Sequence, residues 1–402
     1  MDSPRTENPT LDKAVADLFE AARKSDESSS SPRKHHLIPA SYLVRWETAA
    51  MIRVTETDSK HTYLSSADTA ARETDFYRME SDDLDPESIP PLLFETMLSR
   101  VEGAGKAAID LLLDGGILAL DPPDVYALTQ FLAFQLARGR ARRREITNMA
   151  NKMMLLQYGQ MTDEGIRRRL REQGKPATQE EVGRMRAFID DWKAGKYFIG
   201  PQPAALVALA SLAAEAIAMT LLARRWWLYA TACPLITSDE PVVAIPGPGQ
   251  ERRELLGVGT AGVVVFPLDP HHLLAMFHPA LALDEVGLFP ELLPTEVDEI
   301  DLELAAASDR WLFEQSTRRR TTTLLVPRWP KDAAIYEHHR RGDSSERELV
   351  RGFRPNRWAQ LGIAPPPAVG RWWRGVGPET FVQPIVWEQM EYALFNSLAL
   401  AA

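Results

Sequence analysis

Residues 34–46 read KHHLIPASYLVRW and mark the start of the folded part of this chain. Pro39 suits the first turn of a helix, where its missing N–H costs nothing, and it pushes Ile38 toward extended geometry. His35 and His36 therefore lie in an extended lead-in to a short helix. Because adjacent residues of an extended segment face opposite sides, only one of the two histidines is expected to face a shared site.

The helix that follows this lead-in presents Tyr42, Leu43 and Trp46 on one face, which is expected to dock on the core. Its N-terminus offers free N–H groups to a phosphate or carboxylate. We predict His36 as a general acid/base and His35 as a substrate contact. The alternative is that each histidine caps the helix or hydrogen-bonds a backbone carbonyl.

A second run, ITSDEP at residues 236–241, lies two hundred residues further on. Asp239 falls in a Ser-Asp-x-Pro turn between two strands. One interpretation is a turn in which the carboxylate accepts backbone N–H groups. The other is a carboxylate that orients a histidine, binds a metal or acts as general base. On the second interpretation Asp239 is catalytic with His36, and Thr237 and Ser238 contact the substrate.

The composition is that of a soluble globular protein, with 45% apolar and 25% charged residues among 402. A net charge of −10 argues against a nucleic-acid or membrane-binding role for the whole chain, although local basic patches stay possible. The single cysteine, Cys233, excludes an internal disulfide and favours a reducing, cytoplasmic location. The charged N-terminal residues do not resemble a signal peptide.

One apolar stretch, residues 203–223, is about as long as a membrane-spanning helix, which needs roughly 20 residues. It is rich in alanine, and Glu215 lies in its middle, where a charge is costly in lipid. We therefore expect a core helix of a soluble protein and no membrane association.

Hydrophobic periodicity predicts an α+β fold, a helical bundle packed on a small, mainly antiparallel sheet. The helical period covers residues 85–225, and short apolar runs separated by Pro, Gly and Asp cover the sheet region 226–313. Two β-prone runs, 51–55 and 61–65, flank a polar turn and predict an N-terminal β-hairpin.

Composition also suggests the domain limits. Residues 1–34 end in a serine-rich run and are expected to be a flexible N-terminal tail. Residues 35–328 form one integrated domain, and residues 329–402, rich in Arg, Pro and Trp, form a C-terminal extension packed on its surface.

The two runs together resemble a microbial family classed only as a domain of unknown function, number 4238. Its pattern is similar to H-H-x-x-P-x-x-Y-L at residues 35–43, an aromatic pair at Phe76-Tyr77, T-S-D-x-P at residues 237–241 and F-P-L at residues 266–268. The resemblance covers about residues 35–315 and implies one integrated domain. It implies no activity.

The helical region adds polar side chains on otherwise apolar helices. Gln135 and Arg138 lie one turn apart, so burying either requires a partner, and an arginine fork could bind phosphate or carboxylate. Their alternative role is hydrogen bonding to loop carbonyls. Glu102 could pair on the surface with Lys106. With His36 and Asp239, Glu102 would instead make a hard-metal set, so a divalent metal is a possible cofactor.

These residues lead to two functional hypotheses. The first is a hydrolase-like enzyme acting on a phosphate-containing small molecule or nucleic acid, with catalytic His36 and Asp239 and substrate contacts at Gln135 and Arg138. Arginine clusters at residues 140–144, 167–171 and 318–320 could line a polyanion groove or be ordinary solvated faces. The second hypothesis is a non-catalytic binding or scaffold protein in which both motifs are structural.

Overall fold

A computed structural model describes most of the chain. The described residues are 9–27, 34–74, 76–77, 85, 88–250, 256–281, 290–327, 335–339, 349–353, 357–358, 365–381 and 384–385. Part of the predicted serine-rich tail and much of the predicted C-terminal extension lie outside them.

The chain divides into two compact units. Unit 1 contains residues 1–140, 203–331 and 355–402, and unit 2 contains residues 141–202 and 332–354. The helices, in chain order, are α1 Pro9–Glu27, α2 Ala40–Leu43, α3 Leu93–Gly115, α4 Pro122–Arg138, α5 Arg140–Tyr158, α6 Asp163–Glu172, α7 Gln179–Lys193, α8 Pro203–Leu222 and α9 Pro294–Ala307. The strands are β1 Lys34–His36, β2 Ile52–Glu56, β3 Thr62–Ser65, β4 Arg72–Thr74, β5 Arg225–Ala230, β6 Thr237–Ser238, β7 Val243–Ile245, β8 Val263–Asp269, β9 His272–Phe277, β10 Trp311–Gln315, β11 Ile335–His339 and β12 Leu349–Phe353. The α+β class predicted from the periodicity is confirmed.

Local signals in the sequence set the helix limits of unit 1. The side chain of Asp121 accepts a hydrogen bond from the backbone N–H of Asp124, and two prolines occupy the first positions of α4. Helix α3 stops at Gly116, whose φ of 73° is a left-handed conformation that glycine adopts without strain. Helices α3 and α8 both pack against α4.

Eight of the ten described strands of unit 1 form two antiparallel four-stranded sheets, where the sequence suggested one sheet. The first sheet has the order β3-β2-β10-β6, so the predicted hairpin, β2 and β3, is part of this sheet. The second sheet has the order β5-β9-β8-β7. Apolar alternation identifies a strand but not its partner, and β10 pairs with β2, a strand more than 250 residues earlier.

The lead-in predicted at the first motif is present as β1, which pairs with β4 in a separate antiparallel ladder. Helix α2 is a single turn with Pro39 at its N-cap position, and a 3-10 turn through Trp46 continues it. A single turn aligns few peptide dipoles, so α2 gives the predicted anion site little electrostatic support. Tyr42, Leu43 and Trp46 are buried in the core, as their spacing predicted.

Part of the C-terminal segment completes a core of unit 1. Trp372 is fully buried, and its ring lies 5.6 Å from that of Tyr229 on β5 and 5.3 Å from that of Phe277 on β9. Phe381 and Trp373 belong to the same apolar cluster. These described side chains of the C-terminal segment pack beside the second sheet.

Helices α5, α6 and α7 belong to unit 2. Ile166, Leu170, Val182 and Ile189 form a small core between α6 and α7. Thr178 caps α7, because its side chain accepts a hydrogen bond from the backbone N–H of Glu181. The strands β11 and β12 form an antiparallel pair in the same unit.

Helix α8 is, among the described residues, the one helix long and apolar enough to cross a membrane, by length and composition. In its most apolar window 44% of residues are buried inside the protein. A core helix passes the same test, so this feature is weak evidence for a membrane span.

Candidate functional site

The first motif places its two histidines in different surroundings. His35 is fully buried, and its Nδ1 lies 2.9 Å from Oε2 of Glu95 in the first turn of α3. The ring of His35 meets the ring of Tyr77 edge to face, at 5.7 Å between centroids. If Nδ1 carries the proton that it donates to Glu95, Nε2 is left as an acceptor. Nε2 has no hydrogen-bond partner among the described residues.

Tyr77 also contacts the buried end of α4. The guanidinium of Arg138 lies over its ring, 5.5 Å from the centroid, and its Nη2 lies 2.7 Å from Oε1 of Glu102. Burial raises the pKa of Glu102, and the nearby Arg138 only partly offsets that effect. Arg138 is 1% exposed and stays cationic, since an arginine is effectively always charged. Glu102 therefore pairs with the buried Arg138 and not with Lys106 on the surface, and Lys106 pairs with Asp110.

Gln135 lies one turn before Arg138 and is also buried. Neither its amide oxygen nor its amide nitrogen has a hydrogen-bond partner among the described residues. A buried polar group without a partner costs about 1–3 kcal/mol, so such groups call for a physical explanation. His35, which contacts Tyr77, has such an atom, and so does Gln135, one turn before Arg138 on α4. The surroundings of His35, Tyr77 and Arg138 are therefore the candidate site of the first motif.

His36 points the other way and is held by the neighbouring strand. It faces Arg72 across the ladder of β1 and β4, and the Nε–H of Arg72 donates to its Nε2 at 2.9 Å. Burial and the adjacent guanidinium lower the pKa of His36, so the ring is neutral at pH 7. Since Nε2 accepts this bond, the proton of the neutral ring is on Nδ1.

The carboxylate of Asp239 accepts hydrogen bonds from backbone N–H groups. Its Oδ1 accepts from the N–H of Asp309 at 2.9 Å, and its Oδ2 accepts from the N–H of Arg310 at 2.8 Å and of Trp311 at 3.2 Å. Asp239 thereby holds the turn that leads into β10. Burial, together with the carboxylate of Asp309, raises the pKa of Asp239 to about 7.

Thr237 and Ser238, predicted as substrate contacts, are fully buried in β6. The hydroxyl of Thr237 lies 2.8 Å from the hydroxyl of Tyr42, which ties the two motifs through the core. The hydroxyl of Ser238 accepts from the backbone N–H of Glu240 at 3.2 Å, an interaction that closes the turn.

Arg140 contacts residues next to both motifs, because it pairs with Glu73 near His35 and with Asp309 near Asp239. Its guanidinium pairs with Glu73, the residue opposite His35 in the ladder, and its Nε lies 3.4 Å from Oδ2 of Asp309. Arg140 was assigned from the sequence to an arginine cluster. Its two acidic partners come from segments that are far apart in the chain, and no local pattern marks them.

His36, Glu102 and Asp239 were proposed as a metal set. Within the described ranges, no three His, Cys, Asp or Glu side chains are grouped closely enough to hold a metal ion. His36 instead contacts Arg72, and Glu102 contacts Arg138. Asp239 binds the backbone of residues 309–311, so the three side chains have separate partners.

A family model supplies the identification. The model described as "Protein of unknown function (DUF4238)" matches residues 34–318. The chain belongs to the DUF4238 family. No curated protein and no solved structure matches the chain. The DUF4238 region contains both motifs and ends shortly after β10, so the C-terminal segment with Trp372 lies beyond it.

Glu95, Glu73 and Asp309 are the site residues that reasoning from the sequence missed. Each is an acidic residue within or next to a regular element, which by itself is typical of a solvated surface. The one local signal was the alternation of Arg72 and Glu73, which places their side chains on opposite faces of a strand.

Proposed function

We propose that this DUF4238 protein is a non-catalytic binding or scaffold protein, in which the His-His and Ser-Asp-x-Pro motifs are structural. One observation carries the proposal. The carboxylate of Asp239 accepts the N–H groups of three consecutive residues, 309–311, and so has the role of a buried turn-former. A group committed in this way cannot leave its partners for a substrate without exposing buried donors.

The first motif supports the same conclusion. His36 accepts from Arg72 and is kept neutral, which fixes β1 against β4. Arg138, proposed as an anion contact, is buried against Glu102 and Tyr77. His36, Asp239 and Arg138 each have a partner inside the protein, which supports a structural role for these side chains.

The test compares stability and turnover in single variants. We expect His36→Gln and Asp239→Ala to lower the free energy of unfolding in urea. We also expect no hydrolysis of p-nitrophenyl phosphate or bis-p-nitrophenyl phosphate by the wild type above the rate of either variant. Turnover by the wild type that both variants lose without a change in stability would contradict the proposal. His61→Gln, an exposed histidine in the hairpin turn, is the matched control.

A second function, a hydrolase-like enzyme acting on a phosphate-containing substrate, is favoured by the first histidine. His35 has the features of a catalytic base, because Glu95 fixes its Nδ1 and its Nε2 has no partner among the described residues. Gln135 offers an amide without a described partner, and protonation of Glu102 would free Arg138 for a phosphate oxygen.

This function makes a different set of residues essential. His35→Gln and Glu95→Gln would then both remove phosphate-ester hydrolysis, while His36→Gln and His61→Gln would keep it. Each variant is checked by its thermal midpoint, so that unfolding is not read as lost catalysis. Equal rates in all four variants and the wild type would reject the enzyme.

A further inference from the structure

Unit 2 differs in charge from the rest of the chain. Residues 141–202 carry thirteen Lys and Arg against eight Asp and Glu, a formal charge of +5 within a chain of −10. Seven of these eight acidic side chains pair with Arg or Lys, from Glu145 with Arg142 to Asp191 with Lys196. Residues 141–202 therefore carry more positive than negative charge, which favours a polyanionic partner.

The same segment leaves aromatic rings in solvent. Phe188 near the end of α7 is 37% exposed, and Tyr197 and Phe198 just after it are 49% and 58% exposed. The rings of Phe188 and Tyr197 lie nearly parallel, 5.3 Å apart and inclined by 28°. We call Phe188, Tyr197 and Phe198 the aromatic surface of unit 2.

The backbone that presents these rings is anchored. The side-chain oxygen of Asn151 on α5 accepts from the indole N–H of Trp192 at 2.8 Å and from the backbone N–H of Ile199 at 2.9 Å. Gly195, with a φ of 77°, makes the turn between these two points. Tyr197 and Phe198 are thus held between fixed positions and need little ordering to bind a ligand.

Cations lie close to the rings in the sequence. Lys193 is an exposed cation between Phe188 and Tyr197, where Lys196 pairs with Asp191, and Arg168 and Lys175 are further exposed cations of the same unit. Exposed aromatic rings stack with the bases of single strands, and surrounding cations neutralise the phosphates. An apolar protein partner would account for the rings but not for the positive charge.

We propose that the aromatic surface of unit 2 binds single-stranded nucleic acid, with bases stacking on Tyr197 and Phe198 and phosphates paired with the nearby cations. This proposal goes beyond the proposed function and involves none of the same residues. Its test is therefore independent of the tests of His35, His36 and Asp239. Binding of this type tolerates different sequences, because every base has a face that can stack.

The experiment uses the full chain and a fluorescein-labelled thirty-residue oligo-dT, with oligo-U and a duplex of equal length for comparison. Fluorescence anisotropy should show saturable binding at low salt that weakens with added salt, as phosphate contacts require. Tyr197→Ala combined with Phe198→Ala should raise Kd by about fivefold or more. Phe198→Tyr, which keeps a ring, should leave Kd unchanged.

Leu118→Ala is the surface control, because Leu118 is 99% exposed and lies in unit 1. The proposal is overturned if neither single strand binds, which would assign the rings to another class of partner. It is also overturned if the double alanine variant binds as tightly as the wild type, since charge alone would then explain the affinity. Duplex binding tighter than single-strand binding would equally reject stacking.

Discussion

The carboxylate of Asp239 accepts a hydrogen bond from the backbone N–H of Asp309, 2.9 Å from its Oδ1. The same carboxylate binds the next two backbone N–H groups, so one side chain fixes the start of β10. Strand β10 lies between β2 and β6 in the first sheet. The Ser-Asp-x-Pro motif therefore stabilises the fold by holding the start of β10, an interior strand of this sheet.

Asp239→Ala should be among the more destabilising single substitutions in the chain. It leaves three N–H groups without their acceptor, each costing about 1–3 kcal/mol if it stays buried. We expect a loss of at least about 3 kcal/mol in the free energy of unfolding, measured in urea. Asp239→Asn keeps one acceptor oxygen and should lose less. An alanine variant within 1 kcal/mol of the wild type, roughly the effect of an ordinary substitution, would contradict this role.

Asp239 should also make stability depend on pH. Burial raises its pKa from 3.8 to about 7, so between these values the folded state binds more protons than the unfolded state. The free energy of unfolding should then fall as pH rises from about 4 to 7, by up to about 1.4 kcal/mol per unit from this group. Comparing wild type with Asp239→Asn across this range isolates the effect.

Asp301 has the same tendency, because burial raises its pKa to about 7 as well. It is present in both proteins, so its contribution cancels in the difference between them. The advantage of the wild type over Asp239→Asn should shrink from pH 4 to pH 7. A constant difference would show that Asp239 has the same pKa in the folded and unfolded states.

The pair of Glu102 and Arg138 should respond unequally to the loss of either partner. Glu102→Leu leaves Arg138, 1% exposed, as a buried cation, which costs about 3–5 kcal/mol. Arg138→Met leaves Glu102, whose side chain is 24% exposed and whose raised pKa lets it take up a proton. We therefore expect the smaller loss for Arg138→Met.

The double variant provides the control for this pair. Glu102→Leu combined with Arg138→Met removes both charges, and its loss should be smaller than the sum of the single losses. Urea unfolding of the four proteins gives the coupling energy directly. Strictly additive losses would mean that the two side chains do not stabilise each other.

The sequence predicted where helices and strands lie better than it predicted which strands pair with one another. Gly115-Gly116 and Pro122-Pro123 act on the residues next to them, so the end of α3 and the start of α4 could be read from the local sequence. The pairing of β10 with both β2 and β6 depends on contacts across the whole chain, which periodicity does not encode.

The same distinction applies to the candidate site. The motif residues could be identified, and so could the alternative that Asp239 forms a turn, because both follow from local chemistry. The contact of His35 with Glu95 and the bridge from Arg140 to Glu73 and Asp309 join distant segments. Which histidine faces the interior was decided by the ladder of β1 and β4, and that ladder could not be foreseen from either strand alone.

Two glycines of α3 should respond in opposite ways to alanine. A Cβ at Gly105 would lie 2.5 Å from Cβ of Phe131 on α4, a separation that forces the helices apart. Nothing lies within 4 Å of a Cβ at Gly103, two residues earlier on the same helix. Gly105→Ala should therefore destabilise by about 1–3 kcal/mol through overpacking. Gly103→Ala should stabilise by about 0.5–1 kcal/mol, since alanine loses less conformational entropy in a helix.

Thermal and urea unfolding of the two variants measure this difference with the same chemical change in both. Phe131→Ala should cost less in the Gly105→Ala background than in the wild type, because it removes the Cγ and Cδ2 atoms that would lie 2.6 and 2.8 Å from the added Cβ. If Gly105→Ala is as stable as Gly103→Ala, the helices are not in close contact at this point. The packing of α3 on α4, which positions Glu102 against Arg138, would then need revision.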